Sequence, residues 1–468
     1  MQGFLGHLKE GNMSLFTDFY ELTMCASYFD NKNFETATFD LFIRRLPENR
    51  SYFLFAGLEE ALQYLQTIKF TEEQLSYLKK QGFKWDFLDY LRNFKFTGEV
   101  WAVPEGTIAF PNEPLIRITA PIIEAQLVET FLLNTVNLQT MIATKASRVV
   151  HAAKGKSVIE FGLRREQGID AGMKVARSSY IAGCQGTSNV LAGQFFGIPV
   201  FGTMAHSFIM SYPKEIDAFR AFSKTFPNKS TLLIDTYDDI SGAEKAVVVA
   251  KELEAKGFKL GGVRLDSGDL GADSKKVRKM LDDQGLTYVK IFASGDLDEF
   301  KIHELLTNGA QIDSFGVGTK MGTSADRPYL DVIYKLCETI NSNGEFSPIM
   351  KLSKDKITLP GRKQVYRFKN KIGDYEKDVI ALADEKIQGD PLLVKVMAKG
   401  KIIYKLPSLD EIRLSIAQNL SKLPGGYQAL TEAPVYVVEL SQNLQKLIKT
   451  LKRQITINEI NGTSNPPS

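Results

Sequence analysis

The middle of the chain repeats one pattern of apolar and polar positions. Short apolar runs alternate with amphipathic helical stretches, and the runs recur at intervals of about 20–40 residues, the spacing of β/α units in a parallel sheet or barrel. The pattern therefore predicts an α/β fold whose strands lie within these six runs: residues 157–162, 198–203, 231–235, 261–266, 289–294 and 312–317.

The pattern changes on either side of this region. Residues 34–45 and 113–121 alternate as strands do, and residues 123–144 have helical periodicity. A turn and strand at 357–368 are followed by two further helical patterns. These changes predict an N-terminal α+β domain, a β/α domain with the active site, a C-terminal domain and a disordered polar tail, over residues 13–150, 151–340, 341–455 and 456–468 respectively.

Two of the helices between the apolar runs have recognisable start signals. Ser241 is followed three residues later by Glu244, and Asp296 is followed by Glu299 at the same spacing. This spacing is typical of a capping box, in which the first side chain accepts a hydrogen bond from the third backbone N–H of the helix. We therefore expect these helices to begin at Ser241 and Asp296.

Composition and charge narrow the classes of function. Hydrophobic residues make up 44% and charged residues 24% of the 468 residues, as in globular enzymes, and the net charge of +3 argues against a nucleic-acid-binding protein. The sequence has no apolar run long enough to span a membrane and no signal-peptide pattern at its start. Three widely separated cysteines (Cys25, Cys184 and Cys337) argue against a disulfide framework, so we expect a cytoplasmic protein without membrane contact.

Acidic residues follow three neighbouring predicted strands. In β/α folds the active site lies at the C-terminal ends of the strands, so Asp235, Asp238, Asp266, Asp269 and Asp296 are candidates for holding Mg²⁺ or sugar hydroxyls. A structural alternative exists for several of them. Asp296 has the position of a helix N-cap, and Asp266 and Asp269 bracket a tight turn in which capping is common.

Arg264 lies inside an apolar run. Burying a guanidinium is costly unless it meets an anion, and its planar fork fits a carboxylate or a phosphate. We therefore predict that Arg264 binds an anionic ligand, with a structural ion pair to a nearby aspartate as the alternative. Adjacent strand residues face opposite ways, so both roles stay open for Arg164 and Arg165.

His206 is one of only four histidines and follows a Gly-Thr pair at a predicted strand end. Near the aspartates and arginines it suits a general base, a phosphate contact or a nucleophile toward a phosphoryl group.

The Ser294-Gly295 pair and residues 316–319 offer backbone N–H groups to an anion, a weak signal by itself. Tyr20, near the start of a helix, is by itself more typical of a core aromatic than of a ligand contact.

Seven motifs together resemble the nicotinate phosphoribosyltransferase family. They occur in family order from residue 14 to about 440, and the set is specific although no single motif is. The resemblance implies an incomplete parallel β/α barrel of the type II phosphoribosyltransferase kind, with an N-terminal α+β sandwich-like domain and a small C-terminal domain. The motifs are TDFYELTM (17–24), FGLRR (161–165), GTMAHS (202–207), VRLDSGDL (263–270), FASGDLDE (292–299), SFGVGTKMGTS (314–324) and ITLPGRKQVYRF (357–368).

This resemblance implies that the protein joins nicotinate to the ribose of phosphoribosyl pyrophosphate, releasing pyrophosphate and forming nicotinate mononucleotide for NAD synthesis. ATP hydrolysis would be coupled to the reaction through phosphorylation of His206, with Mg²⁺ as cofactor. Active sites of the family form at a dimer interface. The resemblance therefore also implies a homodimer with shared sites, in which Tyr20 serves the barrel of the partner subunit.

The resemblance also assigns roles to individual residues. Tyr20 and Thr203 would contact the nicotinate ring, Arg264 would face its carboxylate, and Arg164 and Arg165 would lie at the ribose and pyrophosphate. It names His206, Asp266 and Arg164 as catalytic. Phe161 would bind the substrate, Asp266 and Asp269 would contact the ribose hydroxyls or Mg²⁺, and Asp235 would also bind Mg²⁺. The 5-phosphate of the ribose would be held by Ser294, Gly295, Gly316, Gly318 and Thr323.

Three alternatives stay open. A nicotinamide or quinolinate phosphoribosyltransferase would use the same fold. A β/α-barrel sugar-phosphate lyase would need a Schiff-base lysine inside a strand, where the apolar runs offer only Lys290, at the start of its strand. A third possibility is an inactive binding protein, against which the intact series of strand-end residues argues. Met13 is an alternative start to Met1, and the sequence does not decide between them.

Overall fold

The structure is a computed structural model that describes residues 10–341, 343–353 and 358–461. The chain divides into two compact units. Among the described residues, unit 1 contains those within 10–140, 330–429 and 433–461, and unit 2 contains residues 141–329 and 430–432. Met1 and the last seven residues of the predicted tail lie outside the described residues, whereas the alternative start, Met13, lies within them.

The strands are β1 (Thr36–Ile43), β2 (Phe53–Leu54), β3 (Glu99–Ala102), β4 (Ile108–Ala109), β5 (Pro114–Pro121), β6 (Ser157–Glu160), β7 (Gly186–Thr187), β8 (Thr231–Leu233), β9 (Gly262–Leu265), β10 (Lys290–Ala293), β11 (Ser314–Val317), β12 (Val332–Ile340), β13 (Phe346–Pro348), β14 (Lys363–Lys369), β15 (Tyr375–Leu382), β16 (Asp390–Pro391), β17 (Val394–Ala398), β18 (Lys401–Ile402) and β19 (Val438–Leu440). The helices are α1 (Phe19–Asp30), α2 (Leu58–Thr67), α3 (Glu72–Lys80), α4 (Trp85–Arg92), α5 (Ile122–Leu127), α6 (Glu129–Ala152), α7 (Ile169–Ile181), α8 (Val190–Phe196), α9 (His206–Met210), α10 (Glu215–Thr225), α11 (Asp239–Glu254), α12 (Leu270–Asp283), α13 (Glu299–Thr307), α14 (Thr319–Gly322), α15 (Leu409–Ser421) and α16 (Gln442–Ile455).

Unit 2 is built on a parallel sheet with the strand order β7-β6-β11-β10-β9-β8. Helices lie between successive strands in the chain, as parallel pairing requires. Apolar strand residues such as Val158, Leu232, Val263, Ile291 and Phe315 are fully buried, which explains why the strands appear in the sequence as continuous apolar runs. Five of the six predicted runs contain strands, and their C-terminal ends lie along one edge of the sheet.

The predicted strand at residues 198–203 is wrong. This segment makes only an isolated parallel bridge between Thr187 and Val200. Pro199 has no backbone N–H to donate, and the two hydrogen bonds on either side of the bridge (Thr187 N to Pro199 O and Phe201 N to Thr187 O) do not extend it into a strand. The sheet strand in this region is β7, whose two residues the sequence pattern does not reveal.

Both predicted capping boxes are also wrong by a few residues. The side chain of Asp238 caps α11 by accepting a hydrogen bond from the backbone N–H of Ser241 at 2.8 Å. Asp298 caps α13 in the same way, accepting from Lys301 N at 2.8 Å. Asp298 has the extended backbone that an N-cap needs, whereas Asp296 has a left-handed φ of 48°.

A buried ion cluster lies inside unit 2. The carboxylate of Glu299, which is fully buried, lies 2.6 Å from Lys145 Nζ and 3.2 Å from Arg148 Nε. Lys145 is also 2.9 Å from Asp326. Because a buried charge is tolerated only when it is paired, these four side chains depend on one another.

Unit 1 contains a seven-stranded sheet with the order β13-β12-β1-β5-β3-β17-β18 and a four-stranded sheet with the order β16-β14-β15-β19. Strand β1 pairs antiparallel with both β5 and β12. Asp40 in β1 forms a buried ion pair with Lys363 in β14 at 2.8 Å. Strands that are far apart in the chain therefore complete this unit.

The boundaries of the two units differ from the domain boundaries that the sequence pattern predicts. Residues 341–429, predicted as part of a separate C-terminal domain, belong to the same unit as residues 1–140. Residues 456–461, predicted to start the disordered tail, form a helical turn. Of the helices described, none is both long and apolar enough to cross a membrane. The cytoplasmic location stays a prediction.

Candidate active site

The guanidinium of Arg264 connects the ends of β9 and β10 with the segment that precedes α9. Its Nε donates to Ser294 Oγ at 2.7 Å, its Nη1 to Thr203 Oγ1 at 3.1 Å, and its Nη2 to Asp266 Oδ1 at 2.5 Å. Met204 O accepts a longer bond from Nη1 at 3.3 Å. The ion pair with an aspartate that we considered as the alternative is therefore present. At least one of the five guanidinium N–H groups has no acceptor among the described residues, so ligand binding stays a prediction.

Asp266 is held as a carboxylate by its neighbours. Partial burial would raise its pKa, but the hydrogen bond from Ser294 Oγ and the Arg264 guanidinium lower the pKa below its usual value. Its backbone N–H donates to Asp235 Oδ2 at 2.9 Å. An ionised Asp266 and a cationic Arg264 thus lie side by side at the end of β9.

An aromatic surface lies beside the arginine. The Arg264 guanidinium carbon is 5.8 Å from the centre of the Phe161 ring, which packs against Phe292 with 5.5 Å between ring centres. A Cβ on Gly316 would lie 2.7 Å from atoms of both rings, so glycine at this position makes room for the pair. A planar ligand with an anionic substituent would suit this combination of ring face and cation.

His206 is the first residue of α9 and lies at the same edge of the sheet. Its Nδ1 is 3.2 Å from Thr236 Oγ1, and its Nε2 is 4.0 Å from Asp266 Oδ2. The side chain is 39% exposed, so a ligand can reach it. When Nδ1–H donates to Thr236, the lone pair of Nε2 is available as a nucleophile or base.

A cavity of about 480 Å³ opens at the ends of β9 and β10. It is lined by residues 266–270 and 295–297 together with Lys301, Glu304, Leu305 and Lys320. Gly295 is required here, because its φ is 94° and an added Cβ would lie 1.8 Å from the carbonyl oxygen of Asp266. The wall carries four carboxylates and two ammonium groups, so a polyphosphate would need additional positive charge to bind.

Other predicted residues have structural contacts near this cavity. Asp269 caps α12 by accepting from Ala272 N at 3.0 Å. Thr323 donates its hydroxyl to Thr319 O at 2.7 Å at the end of α14, and Gly318 precedes that short helix. These residues therefore shape the loops of the site, and their predicted ligand contacts stay predictions.

Arg164 and Arg165 lie on an exposed 3₁₀ turn, Leu163–Arg165, that follows β6. The sequence had assigned the pair to a strand, on which the two side chains would face opposite ways. Arg165 Nη1 lies 3.5 Å from Thr319 Oγ1, at the limit of a hydrogen bond. The turn replaces the strand because β6 ends at Glu160.

Tyr20 lies in unit 1, on the first turn of α1, whereas the other predicted site residues lie in unit 2. Its ring is 47% exposed, which contradicts the interpretation as a core aromatic. Burial of the hydroxyl and the neighbouring carboxylate of Glu129, to which it hydrogen-bonds, raise the pKa of the Tyr20 phenol. Tyr20 is thus an oriented, accessible ring.

Asp235, one of the predicted Mg²⁺ ligands, has a carboxylate oxygen that no donor in the described part of the chain uses. Asp235 Oδ2 accepts from Asp266 N and from Ser267 Oγ at 2.7 Å, whereas the buried Oδ1 has no hydrogen-bond partner among the described residues. Among all the residues that the structure describes, no group of three or more His, Cys, Asp or Glu side chains is arranged to hold a metal ion. Mg²⁺ typically takes only one or two protein carboxylates and completes its shell with phosphate oxygens and water, so Asp235 and Asp266 fit it.

Sequence reasoning missed several polar residues around the site. Thr236 contacts His206, and Asp239 lies beside Asp273. Partial burial and the Asp273 carboxylate raise the pKa of Asp239 to about 6. Thr236 directly follows a predicted strand end and could have been found on that signal, whereas the pairing of Asp239 with Asp273 depends on the packing of α11 against α12.

Known proteins resemble this chain along most of its length. Models of the nicotinate phosphoribosyltransferase N-terminal domain, family and C-terminal domain match residues 15–137, 157–379 and 387–448. A protein of Mycobacterium tuberculosis named nicotinate phosphoribosyltransferase pncB2 is 46% identical over 421 residues, which cover 90% of this chain and 89% of that protein. The nicotinate phosphoribosyltransferase of Bacillus subtilis is 41% identical over 93% of this chain and 94% of its own length.

Solved structures show the same similarity. The crystal structure of human nicotinic acid phosphoribosyltransferase has a TM-score of 0.84 at 30% identity, covering 93% of this chain and 99% of that one. Nicotinate-nucleotide pyrophosphorylase from Pyrococcus furiosus has a TM-score of 0.73 at 28% identity, covering 90% and 98%. The predicted type II phosphoribosyltransferase fold class is confirmed. Together with its sequence relatives, these similarities show that the chain belongs to the nicotinate phosphoribosyltransferase family.

Proposed function

We propose that the protein is a nicotinate phosphoribosyltransferase that makes nicotinate mononucleotide and pyrophosphate from nicotinate and phosphoribosyl pyrophosphate in NAD biosynthesis. The observation that carries the proposal is the partly buried Arg264 guanidinium, placed between the Thr203 hydroxyl and the Phe161 ring at a strand end. A pyridine ring packs on Phe161 while its carboxylate pairs with Arg264. Relatives whose names carry this activity support the same substrate.

The chemistry needs little proton transfer. The pyridine nitrogen attacks the anomeric carbon of the ribose, a new C–N bond forms, and the bond to the pyrophosphate oxygen breaks with its electron pair leaving on pyrophosphate. The pyridine nitrogen has no proton to remove, so stabilisation of the developing oxocarbenium and pyrophosphate charges matters more than a base. The ionised Asp266 lies where it can face the ribose, and Arg164 and Arg165 are the cations proposed for the pyrophosphate.

Mg²⁺ is part of the proposal because of the charge of the cavity. Four carboxylates line it, and one of its two lysines, Lys320, is already 3.4 Å and 3.3 Å from Asp296 and Asp298. Asp235 and Asp266 would hold the ion. When bound, it supplies positive charge to the phosphate oxygens of the substrate.

We further propose that ATP hydrolysis is coupled to the reaction through His206. With Nδ1–H donated to Thr236, Nε2 attacks the γ-phosphorus of ATP, a P–N bond forms, and the breaking P–O bond releases ADP. Water later cleaves the P–N bond and yields phosphate. While it is present, the phosphoryl group adds negative charge next to Asp266, which changes the electrostatics of the pyrophosphate site.

A homodimer with shared active sites completes the proposal. Tyr20 is accessible and oriented, and it would serve the partner subunit's site. Unit 2 also exposes several large apolar side chains between residues 163 and 210, and exposed apolar surface is typical of association surfaces. These side chains are Leu163, Ile169, Val190, Leu191, Phe195, Val200, Phe201 and Met210.

One assay tests the reaction and its rivals. Purified protein, Mg²⁺ and phosphoribosyl pyrophosphate are given nicotinate, nicotinamide or quinolinate in separate reactions, with and without ATP, and mononucleotide and ADP are quantified together. We expect product from nicotinate alone, more product with ATP, and ADP formed in step with it. Product from another pyridine would reassign Arg264, and no product from any would refute the proposal.

The lyase alternative has no support at the level of residues. Lys290, the lysine it would require, is an exposed side chain at the start of β10 and lies 3.3 Å from Asp313. The start of a parallel strand is at the sheet edge opposite the candidate site, so Lys290 cannot form a Schiff base there.

A further inference from the structure

The carboxyl group of Glu166 lies in a pocket made by glycines. Both of its oxygens are buried, and neither accepts a hydrogen bond from a conventional donor among the described residues. An added Cβ on Gly162, Gly172 or Gly322 would lie 2.5, 3.2 or 2.7 Å from a Glu166 carboxyl oxygen. Three separate segments of the chain therefore leave space for this one group.

A second buried carboxyl, that of Glu160, is its neighbour, because the Cβ position on Gly162 that lies 2.5 Å from Glu166 Oε1 lies 3.0 Å from Glu160 Oε1. Glu160 is 1% exposed and ends β6. One of its oxygens accepts a hydrogen bond from the Thr187 hydroxyl at 2.5 Å, and the other accepts from the backbone N–H of Gly162. These two donors favour the ionised form of Glu160, so a single shared proton belongs on Glu166.

The two glutamates bracket the turn Leu163–Arg165 that presents Arg164 and Arg165. Two carboxylates in contact would repel each other and open the turn, whereas one proton between them makes a strong, charge-assisted hydrogen bond that closes it. Burial and the neighbouring Glu160 carboxylate raise the pKa of Glu166 to about 9, and burial also raises the pKa of Glu160. The proton is thus retained at neutral pH.

Three of the other charged groups on the surrounding elements form ion pairs away from the two glutamates. Asp170 and Lys174 of α7 pair with each other at 2.8 Å, and Lys320 of α14 faces Asp296 and Asp298. The closest part of β7 contributes the uncharged Thr187. The full set of charged residues on the turn, α7 and α14 is Arg164, Arg165, Asp170, Lys174, Arg177 and Lys320.

We propose that Glu160 and Glu166 share one proton, and that this carboxyl–carboxylate hydrogen bond positions Arg164 and Arg165 for phosphoribosyl pyrophosphate. Both glutamates are positioning residues, because they act through the turn between them and not on the substrate. The substrate named here rests on the proposed function. Loss of the proton at alkaline pH places two charges in the glycine pocket, opens the turn and weakens binding of the substrate.

The test compares the wild-type protein with Glu166→Gln and Glu166→Ala. Glutamine keeps the shape and the hydrogen bond to Glu160 at every pH, whereas alanine removes the partner. Affinity for phosphoribosyl pyrophosphate is measured by calorimetry at pH 7.5 and pH 9.5. We expect the wild-type affinity to fall about tenfold between the two pH values and the affinity of Glu166→Gln to change by less than about twofold. The affinity of Glu166→Ala should be about tenfold weaker than wild type at pH 7.5 and equally weak at pH 9.5, the scale of a displaced binding group. Glu244→Gln, an exposed change on α11, serves as the matched control and should behave like the wild type.

A second readout follows the proton itself. The infrared difference spectrum between the wild type and Glu166→Gln should contain a protonated-carboxyl band at pH 7.5 that is lost above about pH 9. A missing band, the same alkaline weakening in Glu166→Gln as in wild type, or wild-type affinity in a folded Glu166→Ala would each overturn the inference. Failure of the wild type to bind phosphoribosyl pyrophosphate even at pH 7.5 would instead refute the proposed function.

Discussion

Replacing Arg264 by glutamine is the most direct test of the proposed substrate. The substitution keeps a polar side chain of similar length at the end of β9 and removes the cation that would face the carboxylate of nicotinate. It also leaves Asp266, whose partner at 2.5 Å is lost, as an uncompensated negative charge in the same place. Nicotinate binding should therefore weaken, whereas binding of the uncharged nicotinamide should change much less.

The magnitude follows from the contact that is removed. A hydrogen bond between a guanidinium and a carboxylate contributes about 1.5–3 kcal/mol, and the exposed Asp266 charge adds repulsion, so we expect a loss of about 2–3 kcal/mol. At about 1.4 kcal/mol per tenfold change, this is roughly a 30- to 150-fold rise in the Kd for nicotinate.

The assay is calorimetric titration with nicotinate and nicotinamide, combined with thermal melting of each variant. Arg220→Gln is the matched control, because it makes the same chemical change at an exposed arginine that pairs with Glu252 on the surface. Unchanged nicotinate affinity in a folded Arg264→Gln protein would refute the ligand role. A lower melting temperature with unchanged affinity would leave Arg264 as a structural partner of Asp266 only.

Three further predictions concern unit 2. His206→Ala should keep the fold but lose stimulation by ATP in the coupled assay, whereas the exposed His303→Ala should keep it; equal stimulation in both would remove His206 from the proposed ATP reaction. Glu299→Gln should lower the free energy of unfolding by about 3–5 kcal/mol in denaturant titrations, because it removes the buried carboxylate that pairs with both Lys145 and Arg148; a loss below about 1 kcal/mol would contradict this. Gly295→Ala should destabilise the protein and abolish activity, whereas Gly285→Ala, also at positive φ but with open space around it, should cost only about 1 kcal/mol; equal effects would argue against the steric reason.

The sequence predicted the strands of unit 2 well, since fully buried parallel strands are continuous apolar runs. It failed at residues 198–203, where the apolar pattern is present but Pro199 limits backbone pairing. The sequence pattern also misplaced the starts of α11 and α13. Several residues that can cap a helix lie close together at each start, and the backbone dihedral angles decide which of them is the N-cap. Local signals thus located the elements but not their exact first residues.

The candidate site was predictable to the extent that it depends on strand ends. Arg264, Asp266 and Ser294 are close together because the neighbouring parallel strands β9 and β10 end at one edge of the sheet. His206 reaches Asp266 from the start of α9, which follows a segment that is not a strand. The Glu160–Glu166 pair was not predicted, since nothing in the sequence indicates that Gly172 and Gly322 leave space beside a carboxyl group on another segment. Contacts of this kind depend on tertiary packing, which periodicity does not encode.

The pairing of β1 has a consequence for how the chain is synthesised. One edge of β1 is covered by β5 soon after it leaves the ribosome, but the other pairs with β12, from which almost all of unit 2 separates it. Because synthesis adds ~5–20 residues per second, this edge of β1 stays unpaired for on the order of half a minute. Seven of the eight β1 residues are buried in the finished protein, so nascent chains and truncations that end before residue 332 expose an apolar, unpaired strand and are expected to aggregate.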